Sequence, residues 1–224
     1  GNGMFRNHVM IYEMLARNDW KRPIYMSVTL GMSNYAGLQD FFVIEGLAYR
    51  LTPFKRGMAA MDVEKMYNNM MTRFKYGHVK DGVYLDETNL RMCQTHRRMF
   101  TMLADRLIRA GENDKALKAL QRSEQELPAK YVPYEDEDAD LANLWLQLGN
   151  KQKAAEIART VAQQNMQYIS WCNTLSYDWL TLNASSIGRR LQYAFAALQV
   201  YMKADAKAGK QLYDPLEQLP ATEA

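Results

Sequence analysis

The chain has 224 residues, of which 48% are hydrophobic and 24% are charged, a balance typical of a globular protein with ample core. Its formal net charge is +3, and basic residues are interleaved with acidic ones, which argues against a nucleic-acid partner. No apolar run approaches the roughly 20 residues that a membrane-spanning helix requires, so we expect no span within this stretch.

Residues 1–60 predict a small α+β part. The apolar spacing over 4–17 favours a short amphipathic helix, and alternating β-branched and aromatic residues over 24–30 favour a strand. The stretch FFVIEGLAYRLTP at 41–53 is apolar on nearly every residue to Gly46, which is typical of an element covered on both sides. Periodicity leaves a buried strand and a short buried helix open here.

From Asp62 onward the pattern is helical. Asp62 and Asp86 each precede an amphipathic stretch and are placed to cap it. The stretch after Asp86 has an apolar stripe that ends at Gly111, and its arginines are predicted to lie mostly on the solvent side. Further helices are predicted at about 114–127, 138–148, 151–168, 171–182 and 186–208.

Two segments of the helical part align without a gap. They are LADRLIRAGENDKALKAL from Leu103 and LANLWLQLGNKQKAAEIA from Leu141. Each places a glycine seven residues after its Leu-Ala pair and an alanine five residues after that glycine. We predict that the glycines turn the chain between paired helices, that the alanines lie at close helix crossings, and that a proline ends the first pair. These structural positions are Gly111, Ala116, Pro128, Gly149 and Ala154.

The repeat resembles the tetratricopeptide repeat, whose period is about 34 residues. The offset here is 38 residues, and the loop AKYVPYEDEDAD accommodates the extra length. We therefore expect a mainly α fold: a tetratricopeptide-like α/α superhelix of helix hairpins after a small α+β part with a short strand pair. The expected divisions are 1–60 for the α+β part, 61–210 for the repeats and 211–224 for a loose tail.

Motifs for catalysis or metal binding are absent from the sequence. The histidines lack metal-ligand spacing, and His96 is interpreted as solvated. The acidic run at 135–138 lacks the central glycine of a calcium loop and is interpreted as a solvated turn. Cys93 and Cys172 lie far apart and identify neither a zinc site nor a disulfide scaffold. We predict no catalytic residue, metal or cofactor.

An aromatic group stands out in the second half of the chain. Aromatic faces bind peptides and sugars, and they also dominate ordinary cores. We favour the core interpretation and keep a groove-lining binding site as the alternative. The five residues are Trp145, Tyr168, Trp171, Tyr177 and Trp179.

Several motifs occur in order between residues 18 and 134: NDWKRPIYMSVTLG, GLQDFFVIEGLAYRLTP, MYNNMMTRFKYG, VYLDETNLRM, and the repeat followed by VPY. Together they resemble the C-terminal extramembrane region of a bacterial multi-spanning membrane family. That family is grouped with the GT-C glycosyltransferases and is similar to an animal protein O-mannosyltransferase. In such proteins the membrane helices and the first outer loops hold the catalytic carboxylate and the lipid-linked sugar donor. None of those parts is present here, so the resemblance transfers no catalytic residue.

The resemblance implies a non-catalytic accessory domain at the periplasmic face of the inner membrane. Its expected partners are its own membrane domain and an acceptor protein or peptide, and it either binds the acceptor or stabilises the enzyme. The alternative hypothesis is a protein-docking scaffold unrelated to sugar transfer, and a free-standing enzyme is least supported. The start GNG at 1–3 is typical of a cut made for expression, so we expect a fragment of a longer protein. The stretch at 41–53 would then be a buried seam between the α+β part and the helices, and a contact for the membrane domain.

Overall fold

The structure, a computed structural model, describes residues 5–57 and 60–217. These residues are mainly helical, with a small four-stranded sheet in the N-terminal part. The helices are α1 Arg6–Asn18, α2 Val63–Asn68, α3 Glu87–Arg109, α4 Asn113–Glu126, α5 Ala139–Gln147, α6 Lys151–Cys172, α7 Tyr177–Ala204 and α8 Ala206–Glu217. The strands are β1 Tyr25–Ser27, β2 Phe42–Ile44, β3 Ala48–Leu51 and β4 Ala60–Met61.

The stretch predicted as a buried strand or helix forms strands β2 and β3. They pair antiparallel with Val43 opposite Arg50, and the sheet order is β1-β3-β2-β4, with β2 and β4 parallel. The expected strand pair is therefore part of a four-stranded sheet. Strand β4 covers only Ala60–Met61, too short a segment to show an alternating pattern in the sequence.

This sheet contacts two apolar clusters. Ile44 belongs to the main core together with Met66 and Met70, whereas Phe42 belongs to a smaller cluster with Tyr35. The Phe42 and Tyr35 rings meet edge to face with centroids 5.1 Å apart, a favourable arrangement for aromatic pairs. All three residues of β2 are buried, and side chains on successive strand residues point to opposite faces, so Val43 covers the face opposite to that of Phe42 and Ile44.

Both predicted aspartate caps are present. The side chain of Asp62 accepts a hydrogen bond from the Lys65 backbone N–H at 3.1 Å, and Asp86 accepts one from Asn89 at 2.7 Å. Each carboxylate satisfies a backbone donor that the first turn of a helix leaves free. The caps thus begin α2 and α3 where the sequence predicts.

The chain reverses at Gly111 between α3 and α4 and at Gly149 between α5 and α6. Their φ angles are 78° and 84°, in the left-handed region that favours glycine. In each turn the next residue donates back into the preceding helix: Glu112 to the carbonyl of Leu107, and Asn150 to that of Trp145, at 2.8 and 2.9 Å. The glycine itself also donates to the carbonyl three residues before it in both turns, so the two hairpins share one local geometry.

The other repeat positions also occupy equivalent places. Ala116 on α4 and Ala154 on α6 have no exposed surface and belong to the main core. Helix α4 ends at Glu126, two residues before Pro128. The assignment of these hairpins to a tetratricopeptide superhelix stays a prediction.

The helices predicted over 171–182 and 186–208 differ from the structure. Helix α6 continues to Cys172, and a single helix α7 covers Tyr177–Ala204. The polar cluster at 183–185 suggested a break, but asparagine and serine inside a helix each cost only about 0.7 kcal/mol or less relative to alanine. Packing of α7 along α6 outweighs that local preference.

The segment predicted as a loose tail from 211 is helical as far as Glu217, within α8. Gly209 of α8 lies so close to α7 that an added Cβ would be 2.7 Å from the Cα of Met202. Leu212 packs against the main core. Because Gly209 has no side chain, α8 can pack this closely against α7. Residues 218–224 of the predicted tail lie outside the described residues.

Arg97 corrects the prediction that the arginines of α3 lie on the solvent side. It is only 1% exposed, and its guanidinium donates hydrogen bonds to backbone oxygens after α4. Nη2 donates to the carbonyls of Leu127 and Val132 at 2.8 and 2.5 Å, and Nη1 donates to that of Pro133 at 2.9 Å. The Tyr134 ring stacks near the same group, with its centroid 4.9 Å from the guanidinium carbon. The α4–α5 connection is thereby fixed to α3.

We predict that Arg97→Gln lowers the free energy of unfolding by about 3 kcal/mol or more, because it leaves buried carbonyl oxygens without donors. Arg98→Gln is the control, since the Arg98 side chain is 50% exposed and its surface ion pairs contribute about 1 kcal/mol or less. Urea unfolding followed by circular dichroism measures both values. Equal losses for the two variants would contradict the buried role of Arg97.

We also predict that Ala116→Trp and Ala154→Trp each lower the free energy of unfolding by about 2 kcal/mol or more, because neither buried site has room for an indole. Ala16→Trp, at an exposed position of α1, should change it by about 0.5 kcal/mol or less. Thermal melts of all three variants give the comparison. If the two buried variants melt like the parent, the helix crossings are not closely packed.

Candidate functional site

A surface groove crosses α3, α5 and α7, with the segment 135–138 along its edge. Three adjacent cavities of about 320, 440 and 300 Å³ form it. Glu137 and Tyr193 line both the first and the second cavity, and Asp140 lines both the second and the third. We call this continuous depression the α3–α5–α7 groove.

Charged side chains of both signs line the groove. Six carboxylates face four arginines, so the lining carries an excess of negative charge. The carboxylates are Asp105, Glu135, Asp136, Glu137, Asp138 and Asp140, and the arginines are Arg98, Arg109, Arg189 and Arg190.

Two of the arginines attach the acidic segment to neighbouring helices. Arg98 of α3 lies 3.2 Å from a Glu135 oxygen and 2.8 Å from a Glu137 oxygen. Arg190 of α7 pairs with Asp136 and also stacks on Tyr168, with its guanidinium carbon 4.5 Å from the ring centroid. The acidic segment, interpreted from sequence as a solvated turn, is therefore bound on both sides.

The remaining charged and polar groove residues differ in whether they already have a partner. The Tyr193 hydroxyl donates to Glu137 at 3.3 Å, and Arg109 pairs with Asp105 at 2.9 Å. Among the described residues, Asp140 has no cation within ion-pair distance and Arg189 has no carboxylate there. These two side chains are the groups that a bound partner could pair with.

Asp138 is the buried acid of the groove. It is 8% exposed, and its Oδ2 accepts a hydrogen bond from the Glu135 backbone N–H at 2.7 Å. Burial raises the pKa of Asp138 to about 6, against the smaller lowering effects of that bond and of the Arg97 charge. Its carboxyl group therefore changes charge in the mildly acidic range.

His96 differs from its predicted solvated position. It is partly buried in α3, with the Tyr76 ring 5.4 Å and the Phe74 ring 6.4 Å from its own centroid. Burial lowers the pKa of His96, so the neutral imidazole is favoured near neutral pH. The histidine acts as an aromatic core residue of α3 and not as part of the groove.

The structure separates the five predicted aromatic residues. Trp145 is 4% exposed in the main core, and Tyr168 lines the α7 end of the groove. Trp171 lies next to Tyr168, with ring centroids 5.7 Å apart, but is 54% exposed. Tyr177 and Trp179 are 82% and 59% exposed on α7. A ligand-binding role for this set stays a prediction.

Sequence reasoning missed most of the groove. Arg189, Tyr193 and Ala196 follow one another on α7 at spacings of four and three residues, which places them on one face of a helix. This signal is visible once α7 is known to be continuous. The ion-pair partners of the acidic segment come from α3 and α7, far away in the sequence, so no local pattern could identify them.

The groove residues suit binding by charge and hydrogen bonds. Within the described part of the chain, no group of three or more His, Cys, Asp or Glu could hold a metal ion. Free Cys172 is buried and Cys93 is half-buried, and burial raises the pKa of the Cys93 thiol, which disfavours the reactive thiolate.

Comparison with known proteins gives one result for the N-terminal part. A family model described as TMEM260-associated domain 2 matches residues 1–73. The match fits an extramembrane domain of a membrane protein family, and it includes α1, the sheet and α2. The groove helices lie outside the matched residues. Comparison with curated proteins and with solved structures gives no match.

In the ranges 5–57 and 60–217, no helix is both long enough and apolar enough to cross a membrane.

The raised pKa of Asp138 predicts a pH-dependent stability. Its ordinary value of 3.8 applies to the unfolded chain and about 6 to the folded protein, so the folded state binds the proton more tightly. Protonation therefore stabilises the fold as the pH falls through the folded pKa, by about 1 kcal/mol between about pH 7 and pH 5.

Unfolding free energies of the parent and of Asp138→Asn, measured at both pH values, isolate this effect. The pKa of His96 is lowered in the folded protein, so protonation of His96 reduces the free energy of unfolding in the same pH range. This reduction is equal in the parent and in Asp138→Asn. The parent should gain relative to Asp138→Asn on acidification. Parallel pH profiles would contradict a raised pKa of Asp138.

Proposed function

We propose that this chain is an extramembrane accessory domain of a membrane protein and that it binds an extended segment of a partner polypeptide along the α3–α5–α7 groove. The observation that carries the proposal is the continuity of the groove across three helices, with shared lining residues at both junctions. Stacked helix pairs commonly bind polypeptides on such surfaces.

The size of the groove suits an extended chain. Neighbouring packed helices lie about 8–10 Å apart, so the distance from α3 across α5 to α7 is roughly 16–20 Å. An extended polypeptide rises about 3.3 Å per residue, and five or six residues would cross this width. Each cavity, at about 300–440 Å³, has room for individual side chains and is too small for a folded partner.

The charges indicate what such a segment carries. Asp140, at the junction of the second and third cavities, has no cationic partner among the described residues. The excess of carboxylates favours a segment with at least one lysine or arginine, whose charge would pair with Asp140. Arg189, near the other end of the groove, would donate hydrogen bonds to a carboxylate of the same segment.

The affinity of this groove is expected to be modest. Its charged lining is hydrated in the free state, and pairing there exchanges water contacts for protein contacts. A domain tethered beside a membrane enzyme needs only to raise the local concentration of its partner. Weak binding is therefore compatible with an accessory role.

We further propose that the full-length protein is a membrane glycosyltransferase of the GT-C type. In this proposal the present chain faces the periplasm, and the segment bound in its groove belongs to the acceptor protein. The ordered motifs between 18 and 134 support this, and the family-model match over 1–73 is compatible with it. A scaffold that docks proteins independently of sugar transfer is the second candidate. The charged lining favours it, since sugar-binding sites use exposed aromatic faces. Deletion of 61–217 from the full-length membrane protein, with protein glycosylation as the readout, separates the two.

Peptide binding tests the groove directly. We predict that Asp140→Lys weakens binding to the best peptides of a lysine-containing library by about tenfold, because an attraction becomes a repulsion. Asp114→Lys is the matched control, since Asp114 and Asp140 both lie in the first turn of a helix and are exposed. Fluorescence polarisation gives the dissociation constants, and circular dichroism shows that both variants fold.

A second pair of variants tests the position of the ligand. Ala196→Trp would fill the middle cavity and block peptide binding, whereas Gln199→Trp, exposed on the same helix, would leave it unchanged. If Asp140→Lys and Ala196→Trp both bind the peptide as tightly as the parent does, the polypeptide binds elsewhere. Binding to a glycan array and not to peptides would overturn the proposal.

A further inference from the structure

The loop end of the α6–α7 hairpin exposes large apolar side chains. Trp171 of α6 is 54% exposed, and Tyr177, Trp179 and Leu182 of α7 are 82%, 59% and 75% exposed. Ile169 and Cys172 nearby are buried, at 3% and 0% exposure, so the end of the hairpin has its own packed interior. We call residues 169–182 the hairpin tip.

The exposed residues surround the tip. Each helical residue turns about 100° around the axis, so Tyr177 and Trp179 lie about 160° apart on α7, on nearly opposite sides. Trp171 adds an aromatic residue from the other helix. A flat protein partner would cover one side only, whereas a fluid lipid phase would surround all of them.

The charge pattern of the hairpin is also unusual. Between Arg159 and Arg189 the sequence contains a single charged residue, Asp178. Arg159 lies thirteen residues before the end of α6 and Arg189 twelve residues after the start of α7. At 1.5 Å per residue both positions are about 18–20 Å behind the tip. Among the described residues neither arginine has a carboxylate partner.

We propose that the hairpin tip inserts into the interface of a lipid bilayer, at the boundary of headgroups and acyl chains. Tryptophan and tyrosine concentrate at this depth because they combine an apolar ring with a polar group. The exposed side chains from Trp171 to Leu182 occupy about the last 8 Å of the hairpin, a depth typical of interfacial protein segments.

The charged residues agree with this depth. Asp178, exposed in the first turn of α7, would remain in the hydrated headgroup layer, which limits the tip to the interface. Arg159 and Arg189 would stand above the surface, from where their long side chains can extend toward lipid phosphates. The nearly neutral tip itself needs no anionic lipid to bind.

Vesicles of phosphatidylcholine with brominated acyl chains test the proposal. Bromine quenches tryptophan fluorescence only at short range, so the parent protein should be quenched and should sediment with these vesicles. The variant Trp171→Ser/Trp179→Ser should lower the partition coefficient by about tenfold or more, because it removes two of the four large apolar side chains that the tip exposes.

Trp20→Ser is the matched control, since Trp20 is 49% exposed but lies outside the tip, and it should bind lipid like the parent. Replacing some of the phosphatidylcholine by anionic lipid should strengthen binding several-fold, and Arg159→Glu, which lies outside the groove lining, should reduce that gain.

Two results would overturn the proposal. One is the absence of quenching, which would show that the tip does not enter the bilayer; self-association of the parent that is lost in Trp171→Ser/Trp179→Ser would then identify a second copy as the partner of the tip. The other is quenching that persists in this double variant. Peptide binding by the groove is measured separately with Trp179→Ser, which lies outside the groove lining and should leave that binding unchanged, so failure of either proposal does not affect the other.

Discussion

The guanidinium group of Arg97 lies inside the protein and donates hydrogen bonds to the backbone oxygens of Leu127, Val132 and Pro133. These oxygens belong to the connection between the two helix hairpins, a segment without regular structure whose polar groups need partners. With the segment held on α3, residues 135–138 emerge at the point where Arg98 and Arg190 can bind them. The edge of the groove therefore depends on a buried charge that does not itself line it.

A buried arginine without a directly bonded carboxylate needs other compensation. Carbonyl dipoles and the face of Tyr134 supply it, and the Tyr134 hydroxyl donates to Glu124 of α4 at 3.0 Å. Glu124 in turn pairs with Lys153 of α6 at 2.8 Å, so the same network joins the first hairpin to the second. Because the network crosses the hairpin interface, it fixes α3 and α4 relative to α6, which forms the second hairpin with the groove helix α5.

The sequence was most informative where the role of a residue depends only on the backbone of its near neighbours in the chain. Asp62 and Asp86 cap helices and Gly111 and Gly149 turn them, because the required geometry is local. Arg97 was misplaced because a charge was assumed to face water, although it lies four residues after Cys93 and three before Phe100, on the apolar face of α3. Only Tyr168 of the groove lining was among the candidate binding residues, because the ion pairs of the groove join residues that are far apart in the chain and depend on tertiary packing.

The continuity of α7 links the two proposed surfaces. The hairpin tip and the groove occupy successive parts of this helix, with Trp179 in the tip and Tyr193 in the groove. The fourteen residues between them correspond to about 21 Å along the helix axis at 1.5 Å per residue. A break at 183–185, as the polar cluster there suggested, would have made this distance variable. The continuous helix, supported along its length by α6, instead sets a fixed separation, so a polypeptide in the groove would be held about 20 Å from the end of the tip. If the tip rests in the lipid interface, the groove would present a bound polypeptide close to the membrane surface, a position suited to an extramembrane domain of a membrane protein.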